Sequence, residues 1–374
     1  MNIVIVRNAL LALFFYAHLL DVHAADLVAK PSGGLYLGAD LSYLNEMEDC
    51  GAVFRKDNKI IDPMTLMKAE GGNLVRVRLW NDATWTKYSN LADVEKTIKR
   101  SRAAGMQVLL DFHYSDDWAD GDKQIAPKAW ATLSTEQQAK ALYDYTYNTL
   151  LSLDKQGLMP EMVQVGNETN PEIMAGEKKK TINWNRNAQL LNAGIRAVRD
   201  MGKRSTINPR VMLHIAQPEN VEPWFKDATT AGVTDYDVIG ISYYKKWSTN
   251  SMAQLGETIA RLKKQYTADV IVVETAYPFT EKSADASPNL LGHDSLIEAY
   301  PATPTGQLNY LTDLTQLVVE NGGIGVVYWE PTWVSTSCKT RWGIGSNWEN
   351  AAWFDLKNHE ALPAFKFLGK KYPP

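Results

Sequence analysis

The sequence is poor in the residues that build metal and phosphate sites. It has two cysteines and six histidines in 374 residues. Cys50 and Cys338 stand far apart, with no Cys or His at the spacing of a zinc site, so no metal centre is expected. A metal-dependent barrel hydrolase would need several His and Asp at strand ends, and only His113 and His214 fall near any. Basic runs are as scarce. Lys178-Lys179-Lys180 is the only one and reads as a solvated loop, and a formal net charge of -4 offers no surface to neutralise phosphates, so no nucleic-acid partner is expected. No G-x-G-x-x-G or G-x-x-x-x-G-K-[ST] follows any candidate strand, which removes the local signature of dinucleotide or nucleotide binding.

Long apolar runs are confined to the N-terminus. There Arg7 precedes "ALLALFFYAHLL", and "DVHAAD" carries Val22-His23-Ala24, a small-residue cleavage site. Residues 1–24 therefore read as a signal peptide, because the run is too short to span a bilayer comfortably. The expectation is an exported chain, secreted or periplasmic, with no membrane partner. With 45% hydrophobic and 22% charged residues the remainder is ordinary globular material, read as one domain over 25–374.

What is abundant is short β-rich runs, each followed by an amphipathic stretch. They begin at Leu35, Leu74, Gln107, Met162, Arg210, Tyr236, Asp269 and Gly323, which makes eight. Between them lie helical segments such as "LADVEKTIKRSRAAG", stopped by Gly105, and the one opened by a Ser134 cap and closed by Gly157. Eight β-then-α units without a Pro/Ser-rich linker predict an α/β fold, a (β/α)8 TIM barrel; an open doubly wound sheet is the alternative. Closure makes the first and eighth strands neighbours and brings Cys50 and Cys338 onto adjoining loops. A disulfide and two free thiols both stay open at this point.

Barrel enzymes place their chemistry at the C-terminal strand ends. Glu168, in "VQVGNETNP", lies at the end of the fourth run, and Glu274, in "VIVVETAYPF", at the end of the seventh. Either glutamate alone reads equally well as half of an ion pair or as a helix cap. Together they supply the two carboxyls of glycoside hydrolysis: one acid for the leaving oxygen, one carboxylate for the anomeric carbon or for water. Asn167 adds a donor for a sugar hydroxyl.

Asn-Glu after strand four with Glu after strand seven resembles the large clan of retaining barrel glycosidases. The blocks "GADLSYLNEMEDCGAVF", "LVRVRLWND", "LLDFHYSDDWAD", "VQVGNETNPEI", "VVETAYPF" and "GVVYWEP" narrow this to a resemblance to glycoside hydrolase family 53, the endo-β-1,4-galactanases. That resemblance implies Glu168 as acid/base and Glu274 as nucleophile. It implies that Arg78 orients the nucleophile, that Tyr243 hydrogen-bonds Glu274, and that Trp329 forms the floor under the sugar. His113, Asp117, Trp118 and Asn167 fall in the same blocks and are expected to meet substrate. The implied partner is a polysaccharide, the galactan side chains of pectin, and the implied assembly a monomer.

The chain departs from the family pattern after Trp118-Ala119-Asp120, where Pro-Gly is usual and Gly121-Asp122 stands. No cofactor is expected. Calcium has no clear ligand set; the loop with His293 and Asp294 is the candidate place, and reads more readily as a solvated loop. Twelve tryptophans are many for this length, and Trp85, Trp118, Trp333 and Trp348 fall in strand-end loops, where indoles would pack on the apolar faces of sugars. The competing readings are another retaining endo-glycanase, such as a mannanase or cellulase, and a silent sugar-binding barrel. The second has no need for two opposed carboxylates.

Overall fold

The computed structural model describes residues 34–177 and 181–374. The N-terminal segment read as a signal peptide and the lysine run lie outside the described residues. Eight parallel strands close into a barrel: β1 (Tyr36–Asp40), β2 (Leu74–Leu79), β3 (Gln107–Phe112), β4 (Met162–Val165), β5 (Arg210–Ala216), β6 (Val238–Ser242), β7 (Asp269–Glu274) and β8 (Gly325–Trp329). The seam pairs Tyr36 with Gly325 and Asp40 with Trp329. These strands are buried along almost their whole length, which explains why they read as near-continuous β-branched runs rather than as alternating ones.

The helices start where side-chain oxygens can satisfy the first free amides. Asn90, Ser134, Asn183, Ser251 and Thr303 each accept from the amide three residues on. Ser134 and Ser251 complete capping boxes with Gln137 and Gln254. The eighth unit differs from the expectation, since β8 is followed by a 3-10 turn, Pro363–Gly369, and not by a full α-helix. Phe365 and Phe367 from that turn pack on Trp353 and close the barrel on that side.

Inward-facing side chains stack in layers. The lowest is apolar and includes Tyr36, Leu74, Leu109, Met162, Met212, Ile271 and Val327. Further up the strands the inward positions turn polar, with Asp40, Arg76, Asp111, Gln164, His214, Ser242 and Glu274, all buried. This polar layer is the base on which the mouth is built. Above it Cys50, in the loop after β1, is bonded to Cys338, in the loop after β8, with Cα atoms 5.6 Å apart. The bond anchors a short hairpin, Lys339–Thr340 paired with Gly343–Ile344, at the rim. Among the described residues no helix is long and apolar enough to cross a membrane.

Candidate active site

A cavity of about 740 Å³ opens at the C-terminal end of the barrel, with Arg76, Asn167, Glu168 and Glu274 at its base. Arg76 organises that base. Its Nη1 lies 2.9 Å from Asp40 and 2.7 Å from Glu274 Oε1, and its Nη2 lies 2.8 Å from Asp111 and 2.7 Å from Asn167 Oδ1. Nε donates to Gln164 Oε1 at 3.2 Å, so every nitrogen of this buried guanidinium has an oxygen partner. A buried charge survives only with such pairing.

Glu274 also accepts from Tyr244 Oη at 3.0 Å. Glu168 sits past the end of β4, after Gly166, whose φ of +82° and whose missing Cβ let the chain turn against Thr169. Glu168 itself has φ +43°, a strained backbone of the kind that collects at functional sites. Its Oε1 accepts from Ser242 Oγ at 2.5 Å and its Oε2 from the Gly121 amide at 3.2 Å. A proline at 121 would have no N–H to give, so the departure from the family pattern adds a donor to Glu168.

Burial pushes both carboxyls up. Glu168 rises to about 7, with the Asp120 charge adding to the rise and the Ser242 hydrogen bond opposing it. Glu274 rises to about 8 through burial and the neighbouring Glu168, against the pull of Arg76. Asp111 stays below the usual carboxylate range despite its burial, because Arg76 and His113 face it.

Glu168, His214 and Glu274 each bring a ligand atom within 4.8 Å of the others, a spacing that a metal ion would accept. The donor set does not fit one. Both His214 nitrogens are engaged, Nδ1 with Asn167 and Gln164 and Nε2 with Ser242, and Arg76 already holds Glu274. The other loop weighed for a metal is also committed: His293 pairs with Glu281 and Asp294 with Lys246.

Two residues expected at Glu274 stand elsewhere. Arg78 donates to Glu330 at 2.6 Å, packed against Tyr43, Trp80 and Trp118. Arg76 and Arg78 both point inward from β2, but Arg78 lies one layer higher, above the reach of Glu274. Tyr243 is one residue off the inward face; its hydroxyl approaches Asn250 O at 3.4 Å, and Tyr244 takes the place at Glu274. Asp117 does not line the cavity. It ties Lys123 at 3.1 Å and Arg341, from the rim hairpin, to the loop after β3.

Arg78, His113, Trp118, Asn167 and Trp329 do line the cavity. His113 has both nitrogens committed, to Asp111 and to the Ala119 amide, so it offers the cavity only its ring. Trp118, Trp333 and Trp348 join Trp329 along one wall, whereas Trp85 lies outside under Arg341. Trp247 and Trp342, each about half exposed, complete the rim.

The sequence profile described as glycosyl hydrolase family 53 matches residues 36–368, the whole of this barrel and its mouth. The chain belongs to glycosyl hydrolase family 53. A family relative, the arabinogalactan endo-β-1,4-galactanase of Cellvibrio japonicus, is 56% identical over 90% of this chain and 91% of that one. The endo-β-1,4-galactanase of Bacillus subtilis is 37% identical over 87% of this chain and 77% of its own. Among solved structures, the family 53 catalytic domain of Ignisphaera aggregans superposes with a TM-score of 0.83 at 31% identity, covering 90% of this chain and 96% of that domain. A fungal β-1,4-galactanase does so at 0.75 and 26%, covering 89% and 98%.

Proposed function

We propose that this family 53 chain is a retaining endo-β-1,4-galactanase that cleaves galactan chains by double displacement. The observation that carries the reading is the pair of carboxylate oxygens of Glu168 and Glu274, within 4.8 Å of each other across the barrel mouth. Retaining enzymes need about 5 Å, and inverting ones about 6.5 Å or more to admit a water between the carboxyls.

The two carboxyls titrate as a coupled pair, and one proton stays between them near neutral pH. Of the two, Glu274 is raised the more, even with the pull of Arg76 counted, which by itself would leave the proton there. The contacts favour the opposite, because Glu274 faces a guanidinium at 2.7 Å and a phenol donor at 3.0 Å, both of which stabilise a carboxylate, while among the described residues Glu168 has no cation in contact. Glu168 is thus the acid and Glu274 the nucleophile.

In the first step Glu274 attacks the anomeric carbon and Glu168 gives its proton to the departing glycosidic oxygen, leaving a glycosyl ester on Glu274. In the second, the Glu168 carboxylate takes a proton from water as its oxygen attacks that carbon and frees Glu274. Asn167 uses one Nδ2 hydrogen on Ala119 O, which leaves the other for a sugar hydroxyl. Trp329 serves as the floor under the sugar. The open cavity and its row of indoles favour cleavage within a chain over release of single sugars from an end.

Export behind a leader ending near Ala24, a catalytic domain over 25–374 and a monomeric state belong to the same reading. Linear β-1,4-galactan should yield mixed oligosaccharides from the first minutes, in the β-anomeric form. Galactose alone, or initial α-products, would refute it.

A further inference from the structure

His214 and Ser242 take no part in the scheme above, yet they reach its acid. Both are fully buried on the adjacent strands β5 and β6. Ser242 Oγ stands 2.5 Å from Glu168 Oε1 and 2.8 Å from His214 Nε2. On the far side of the ring, Nδ1 is 3.0 Å from Gln164 Nε2, and Gln164 Oε1 accepts from Arg76 Nε at 3.2 Å.

The hydrogens can be placed by elimination. Burial and Arg76 both keep His214 neutral, so the ring carries one N–H. The Glu168 backbone N–H donates to Nδ1 at 3.4 Å, which makes that atom the acceptor and puts the hydrogen on Nε2; Asn167 Oδ1, also 3.0 Å from Nδ1, already accepts from Arg76 Nη2 at 2.7 Å. Ser242 then receives from His214 and has its own hydrogen free for Glu168. The result is a one-way donor chain from His214 through Ser242 to Glu168 Oε1.

We infer that His214 and Ser242 are positioning residues for the acid/base: they fix Glu168 Oε1 as a permanent acceptor, leave Oε2 as the oxygen that gives and takes the proton, and set how tightly that proton is held. Oε2 suits this role, since among the described residues its one hydrogen bond is the longer one from Gly121. The charged and titratable groups around the pair are Asp120 beside Glu168; Arg76, Asp111 and His113 beside His214; and Glu274 and Tyr244 across the mouth.

The inference rests on the acid/base assignment of Glu168, and the test separates the two. The pH dependence of kcat/KM on galactan is measured for the wild type, Ser242→Ala, Ser242→Thr, His214→Ala, His214→Gln and Glu168→Gln, each checked for folding by circular dichroism and thermal melting. Loss of a hydrogen bond to the carboxylate should move the basic limb up by about one pH unit in Ser242→Ala and His214→Ala, with the acidic limb in place. Ser242→Thr, which keeps a hydroxyl, and His214→Gln, which keeps an N–H near Nε2, should hold the limb close to its wild-type position. An aryl galactoside whose leaving group needs no proton should lose much less than the polymer. Equal losses on both substrates with unmoved limbs would reduce His214 and Ser242 to packing and overturn the inference. A basic limb that survives Glu168→Gln would overturn the acid/base assignment itself, and this inference with it.

Discussion

Arg76 Nη1 and Glu274 Oε1 stand 2.7 Å apart at the base of the barrel mouth, and the same nitrogen also holds Asp40 at 2.9 Å. One guanidinium thus serves three carboxylates, including Asp111, through a fork of donors that an ammonium cannot reproduce. Arg76→Lys should lower kcat by at least about 100-fold, because the nucleophile loses directional stabilisation of its charge. Arg78→Lys should weaken polymer binding more than it lowers kcat. Steady-state kinetics on folded variants would check this; a larger kcat loss for Arg78→Lys would reverse the two assignments.

Tyr244 is the only side-chain hydroxyl on Glu274 among the described residues. Tyr244→Phe should lower kcat by about 10- to 100-fold, since removing one donor to a charged group costs roughly 1.5–3 kcal/mol. Tyr243→Phe should stay within about threefold of the wild type, because the hydroxyl it loses makes only a 3.4 Å contact with Asn250 O, on the helix side of β6. Parallel assays of the two variants decide between neighbours that differ by a single position.

The Cys50–Cys338 bond closes 288 residues of chain and anchors the rim hairpin that carries Arg341 and Trp342. Replacing both cysteines by alanine should cost about 2–4 kcal/mol in stability. KM for galactan should rise while kcat on a small aryl galactoside stays nearly level, because Trp342 is at the rim and not at the base. Denaturant unfolding and paired kinetics read both effects; an unchanged midpoint would show that the bond constrains little.

Glu349 gives a pH signature away from the chemistry. It lies buried beside Asp285, and burial with that neighbouring carboxylate raises it to about 7. A carboxyl raised on folding contributes stability that is complete below the ordinary value of 4.5 and is lost as pH climbs through about 7. The thermal midpoint should therefore fall between pH 5 and pH 8, and Glu349→Gln, which cannot ionise, should flatten part of that fall. A variant with the wild-type slope would remove Glu349 as its source.

The barrel was legible in the sequence because its strands are buried on both faces and so appear as compact β-branched runs, each followed by a helix with a readable cap such as Ser134 or Asn90. The carboxyl pair was legible for a related reason: Glu168 and Glu274 are acids where an apolar run ends. Depth inside the barrel was not. "VRVR" puts Arg76 and Arg78 on the same face, and only the three-dimensional layering shows which one meets Glu274. Tyr243 and Tyr244 form an adjacent pair whose choice of face turns on the register irregularity between Ile241 and Ser242. Trp247 and Trp342 sit on irregular loops with no periodicity to place them. The Gly121 donor depends on a backbone amide, to which side-chain patterns are blind.

The two glutamates divide the chemistry between them, and azide rescue separates their roles. Glu168→Ala should retain the glycosylation of an aryl β-galactoside with a good leaving group, and added azide should restore turnover and give the β-galactosyl azide, since a small anion attacks the ester on Glu274 without a general base. Glu274→Ala should be inactive on every natural substrate. An α-azide from Glu168→Ala, or rescue confined to Glu274→Ala, would contradict the account and exchange the two roles.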